Sequence, residues 1–138
     1  MWVFYALLSA FFASLTAIFA KIGVKDVDTD LATAIRTVVI LVLAWSIAFF
    51  RGGTSTIGTL SKHNLLFLVL SGLATGMSWV FYFKALQLGN VSQVAPIDKL
   101  SVALTIILAV VILKEPINAK EMLGAGLIIA GSLVLIWK

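Results

Sequence analysis

Four charged residues, Arg36, Lys84, Asp98 and Lys99, lie within or at the close of stretches that are otherwise apolar. A carboxylate so placed can exchange a proton or hold a cation, and a guanidinium or ammonium can hold an anionic group of a small molecule. Hydroxyl residues recur beside them at helical spacing. Ser71, Thr75, Ser78 and Tyr82 follow at intervals of four, three and four, and Asp98, Ser101 and Thr105 at three and four. Thr33 and Thr37 flank Arg36, and Trp79 stands next to the first stripe. Residues three and four apart share one face of a helix. An aromatic wall, hydroxyl groups and a few charges suit reversible binding of a small polar or amphipathic molecule better than ion selection in a pore.

Covalent chemistry finds no support in the same residues. The chain has one histidine, His63 beside Lys62 in a polar segment, and no cysteine, and Asp98 is the only carboxylate deep in an apolar stretch. Neither a metal cluster nor a serine-histidine-aspartate set can be assembled, so no enzyme activity, metal or cofactor is expected. The net charge of +4 is spread along the sequence without forming a basic face, which gives no reason to expect a nucleic-acid partner.

The elements that must position these groups are five apolar stretches that fill nearly all of the 138 residues, with a hydrophobic fraction of 62% and a mean hydropathy of +1.14. They run over 2–20, 31–50, 65–85, 91–113 and 119–137. Roughly 20 apolar residues cross a bilayer core as a helix, whereas a barrel strand needs about 9 to 11. Backbone groups in lipid must be satisfied within the segment, so the stretches are helices. The expected fold class is all-α: a polytopic membrane protein of five transmembrane helices, one domain over 1–138, with the lipid bilayer as its solvent. The first stretch is expected to be a retained helix and not a cleaved leader. No Lys or Arg precedes it, and its apolar run exceeds the usual 7 to 15 residues.

Five spans place the termini on opposite sides, so positive charges can be counted by face. One face holds Arg51, Lys62, Lys114 and Lys120 with the terminal amine; the other holds Lys21, Lys25, Lys84 and Lys138, with Arg36 and Lys99 deeper behind it. This nearly even count is the condition for insertion in both directions and an antiparallel homodimer, the arrangement in which one chain supplies two inverted halves. A fixed orientation set by other features is the alternative. Arg36 lies six residues past Asp30, roughly 8 to 9 Å along its helix, and Asp98 and Lys99 roughly 10 to 12 Å into the fourth span. Both depths are measured from one membrane face, where Lys84 also ends, so a shared polar vestibule lined by spans one to four is expected. Pro96 removes an N–H and is expected to loosen the start of span four as a hinge. Snorkelling toward headgroups for Arg36 and Lys84, and hydroxyl bonds back to their own helix, are the structural alternatives to binding roles.

Small residues mark where helices approach closely. Ala6, Ser9, Ala13, Thr16 and Ala20 form one stripe, Gly72 and Gly76 a GxxxG pair, and Gly124, Gly126, Ala130 and Gly131 a cluster in span five. The last is the expected dimer or helix-packing seam.

The stretch from Phe81 to Ile136 resembles the second half of an EamA-type repeat of the drug/metabolite transporter superfamily. The similar pieces are the aromatic-Lys-Ala-Leu run at Tyr82 to Leu86, VAPIDKLS from Val94 to Ser101, Glu115 after span four, and LGAGLIIAG in span five. Lys21 matches a basic residue common at the end of span one, which extends the resemblance over the whole chain. The resemblance implies a transporter that moves small metabolites or drugs by alternating access, often driven by an ion gradient or counter-substrate. Members typically carry two such repeats and this chain carries one, so a working unit needs a partner chain. Lys114 stands where the family often has glycine before the loop glutamate, and the Trp-Gly pair frequent in span one is absent around Ala13 and Ser14. The expected function is a transporter subunit in a prokaryotic inner membrane. Arg36, Ser71, Thr75, Ser78, Trp79, Tyr82, Lys99 and Ser101 would contact substrate and Asp98 would couple transport to a proton or cation. A non-transporting membrane assembly partner is the alternative.

Overall fold

Every apolar stretch becomes helix, and the polar residues at its ends decide where each helix starts and stops. A computed structural model describes residues 1–137; Lys138, counted above among the charges of one face, lies outside the described residues. The helices are α1 (Trp2–Gly23), α2 (Thr29–Phe50), α3 (Lys62–Leu88), α4 (Val91–Asp98), α5 (Leu100–Leu108) and α6 (Ala119–Ile136). A 3-10 helix at Gly53–Thr59 and a π-helical turn at Ala109–Leu113 complete the all-α chain among the described residues. Trp2–Gly23, Thr29–Phe50, Lys62–Leu88 and Val91–Leu113 are each long and apolar enough to cross a bilayer. The fifth apolar stretch is α6, with 18 residues. Large apolar side chains such as Phe12, Val42, Leu68 and Leu127 point outward, where lipid tails solvate them as well as a protein core would.

The chain divides into two units, one of Met1–Ile18 with the residues from Leu88 onward, the other of Phe19–Gln87. In the second, helix ends extend beyond the apolar runs because side chains satisfy their orphan backbone groups. Asp28 caps α2, its Oδ1 accepting from the amides of Asp30 at 3.1 Å and Leu31 at 2.9 Å. Ser61 Oγ accepts from the amide of Asn64 at 3.1 Å at the start of α3. Two contacts fasten the α1–α2 turn to the end of α3. Lys21 Nζ donates to the carbonyl of Leu86 at 2.6 Å, and Gln87 Nε2 donates to the carbonyls of Val27 at 3.0 Å and Val24 at 3.4 Å. Val24, Phe83 and Leu86 are buried, Leu86 completely.

In the other unit the fourth span departs from the single helix expected over 91–113. It is divided into α4, α5 and the π-helical turn. Pro96 lies inside α4 and supplies no N–H to the preceding turn. Beyond it the bonds tighten, the amide of Lys99 donating to the carbonyl of Pro96 at 3.1 Å and that of Val102 to the carbonyl of Lys99 at 3.0 Å. The π turn ends on Lys114, whose φ of 56° is left-handed. That conformation is what glycine adopts without steric cost, which gives a physical meaning to the glycine resembling sequences carry there. α6 packs along α4 and α5. It begins with a capping box, Asn118 Oδ1 accepting from the amide of Glu121 and Glu121 Oε2 from the amide of Asn118, both at 3.0 Å. Buried Ser132 donates from Oγ to the Pro96 carbonyl at 2.9 Å, tying α6 to the interrupted span.

Within each unit, apart from the glycine's chain neighbours and its own helix backbone, no heavy atom lies within 4 Å of where a Cβ would stand on Gly72, Gly76, Gly124, Gly126 or Gly131. Among the described residues of its own unit, then, none of these glycines serves as a close helix crossing. In α1 the buried residue is Ala17, one step off the small-residue stripe, while Ala6, Ser9 and Ala13 are exposed.

Candidate functional site

The unit of Phe19–Gln87 holds the most developed polar site. Arg36 projects from the second and third turns of α2 onto α3, with its guanidinium carbon 4.6 Å from the centre of the Trp79 ring and 4.9 Å from that of Phe83. Trp79 and Phe83 are four residues apart on α3 and so stack on one ridge. Ser71 and Thr75 continue that same ridge at the same spacing. The helix face that carries the hydroxyls therefore also carries the rings that receive Arg36. Tyr82 stands beside Phe83, the ring centres 6.3 Å apart.

Arg36 is half-buried, and its Nη1 is enclosed without a hydrogen-bond partner among the described residues. Insertion of a charge into a span costs up to about 3 kcal/mol, the figure for its centre. Two cation–π contacts return about 1 to 2 kcal/mol each where water is excluded, which roughly offsets insertion. The enclosed N–H still lacks an acceptor, a deficit of about 1 to 3 kcal/mol. The side chain is thus held in place but left with one hydrogen bond unmade.

The hydroxyl stripes have a definite polarity. Thr33 Oγ1 donates to the carbonyl of Thr29 at 2.8 Å, Thr37 to Thr33 at 2.8 Å, and Thr75 to Ser71 at 2.9 Å. In the other unit Thr105 donates to Ser101 at 2.8 Å. Each proton is committed to the threonine's own helix, so the oxygen that remains can only accept. Ser71, Thr75, Ser78, Ser101 and Thr105 are exposed, whereas Trp79 and Tyr82 are half-buried.

The other sequence candidates fall as follows. Lys84, at the end of α3, donates from Nζ to Gln87 Oε1 at 3.3 Å. Asp98 and Lys99 lie at the break between α4 and α5 and form an ion pair of 3.5 Å, their side chains 37% and 56% exposed. A pair so open and so long contributes about 0 to 1 kcal/mol. Sequence reasoning missed Phe83, although its spacing of four from Trp79 was the available signal. It also missed Gln87 and Ser132, single polar residues without periodicity. A cleft of about 560 Å3 lined by Lys21, Ile22, Val24, Lys25, Asp26 and Gln87 lies at the α1–α2 turn and includes none of the stripe residues.

Long helices that turn apolar side chains outward and keep charges and hydroxyls on shared faces define a multi-pass integral membrane protein. The chain belongs to the EamA-like transporter family, whose model matches residues 1–137. It is 49% identical, over 134 residues, to a Sinorhizobium sp. protein described as an uncharacterized transporter in the cobO 3' region, an alignment covering 97% of this chain and 95% of that relative. No solved structure matches the chain. The family is one of transporters, not enzymes.

Proposed function

We propose that the chain is one half of a carrier that moves a small metabolite or drug-like solute across a prokaryotic inner membrane by alternating access, the working unit being a homodimer of inverted chains. The observation that carries this reading is Arg36, seated on Trp79 and Phe83 inside a membrane span with an N–H left unpaired. A charge retained at such cost inside a span serves a solute or ion path. Arg36 holds the solute, and Ser71, Thr75, Ser78, Trp79 and Tyr82 line its path on α3. Asp98 couples transport to a proton or cation, and Pro96 is the hinge of its interrupted span. Gly124, Gly126, Ala130 and Gly131 on α6 are where the second copy packs. The nearly even charge count between loops supports inversion.

The test uses the natural absence of cysteine. Single cysteines replacing Lys25 and Lys62, in loops on opposite faces, are labelled with an impermeant reagent in right-side-out and inverted vesicles. Partial labelling of each site from both sides is the expected result; labelling of each from one side alone overturns the inverted homodimer. In reconstituted vesicles, gradient-driven flux unchanged by Asp98→Asn removes the coupling role.

A further inference from the structure

Arg36 is the only charged residue of α2 between Asp30 and Arg51, and α3 carries none between His63 and Lys84. The carboxylates of its unit are placed elsewhere. Asp26 lines the cleft at the α1–α2 turn, Asp28 is engaged in capping α2, and Asp30 lies six residues earlier on the same helix, roughly 9 Å away along the axis. Among the described residues the ion pair that forms is Asp98 with Lys99, in the other unit. A guanidinium does not give up its proton at any physiological pH. The positive charge therefore persists inside the span, where the guanidinium lies against the Trp79 and Phe83 rings. The N–H groups lie in its plane and need oxygen acceptors there.

We infer that Arg36 is the receptor for the carboxylate of a small organic monoanion. This rests on the carrier reading above and names its substrate class. A carboxylate is planar and offers two oxygens at the spacing of the guanidinium fork. One negative charge cancels the one positive charge of the site, whereas a phosphate monoester would leave excess negative charge in the span. The enclosure of Nη1 fits an occluded state, and the alternating motion uncovers it. A lipid phosphodiester offers the same oxyanion chemistry, and the experiment separates the two.

The full chain is prepared with Trp2, Trp45 and Trp137 replaced by phenylalanine, so that Trp79 is its sole reporter of the four tryptophans. In phospholipid-free dodecyl maltoside micelles, benzoate is expected to change Trp79 emission saturably and benzamide, its neutral isostere, to leave it unchanged. Arg36→Gln weakens benzoate binding by at least about tenfold, and Arg36→Lys, which keeps the charge but loses the fork, weakens it less. Equal responses to benzoate and benzamide overturn the inference. So does unaltered benzoate binding by an Arg36→Gln protein of normal helix content. A response to phosphatidylglycerol with none to benzoate overturns it in favour of a lipid headgroup. Flux of anionic, neutral and cationic solutes in proteoliposomes distinguishes this failure from that of the carrier reading. Flux of neutral or cationic solutes without benzoate binding refutes the carboxylate alone, and benzoate binding without any flux refutes the carrier while keeping the receptor.

Discussion

Arg36 sets function against stability at a single side chain. Replacing it with methionine forfeits two ring contacts but removes both the insertion cost they offset and the unmade hydrogen bond, a net gain of about 1 to 3 kcal/mol. Arg36→Met should therefore unfold at higher temperature in detergent while losing solute binding; a lower midpoint would mean that the rings compensate the charge fully. Lys114 makes a simpler case. Its left-handed φ of 56° is strained for a residue with a Cβ, and Lys114→Gly should stabilise the fold by about 1 kcal/mol, read as a rise in thermal midpoint with binding unchanged. The residues that could do chemistry were largely legible in the sequence, since charge within an apolar run is conspicuous. Phe83 was not, because a phenylalanine in a lipid-facing helix looks the same whether it meets lipid or a guanidinium.

At the scale of the element, hydropathy located the helices but not their ends. α2 begins at Thr29, ahead of its apolar run, because Asp28 caps it, and α3 starts at Lys62 because Ser61 supplies an acceptor. Span four was the real departure. Its composition is continuous, yet its backbone is broken at Lys99, and Pro96 was the only sign. The segment 53–59, expected as loop, is a 3-10 helix in which Ser55, Thr56 and Thr59 each donate to the carbonyl three residues back, a local competition that apolar periodicity does not reveal. Ser132 holds the broken span to α6 through one hydrogen bond. Ser132→Ala should cost about 1 kcal/mol and speed amide exchange from Lys99 to Val102. Pro96→Ala should slow exchange over the same residues by letting α4 and α5 merge, and reduce flux if the break is the hinge.

For the whole molecule, the nearly even distribution of positive charge makes orientation adjustable. Thr54→Lys with Ser55→Lys in the second loop, or Asn90→Lys with Ser92→Lys near the third, should each bias insertion one way. If the working unit is an inverted pair, each variant alone loses flux and co-expression restores it; full flux from either alone would show that parallel copies suffice. The committed hydroxyls of α2, α3 and α5 carry a last consequence. A proton wire requires each hydroxyl to hand on a proton as it receives another. Thr33, Thr37, Thr75 and Thr105 have each lodged theirs in the helix behind them. Hydroxyls so committed can accept a hydrogen bond from a cargo but cannot relay a proton, so they do not short-circuit an energised membrane.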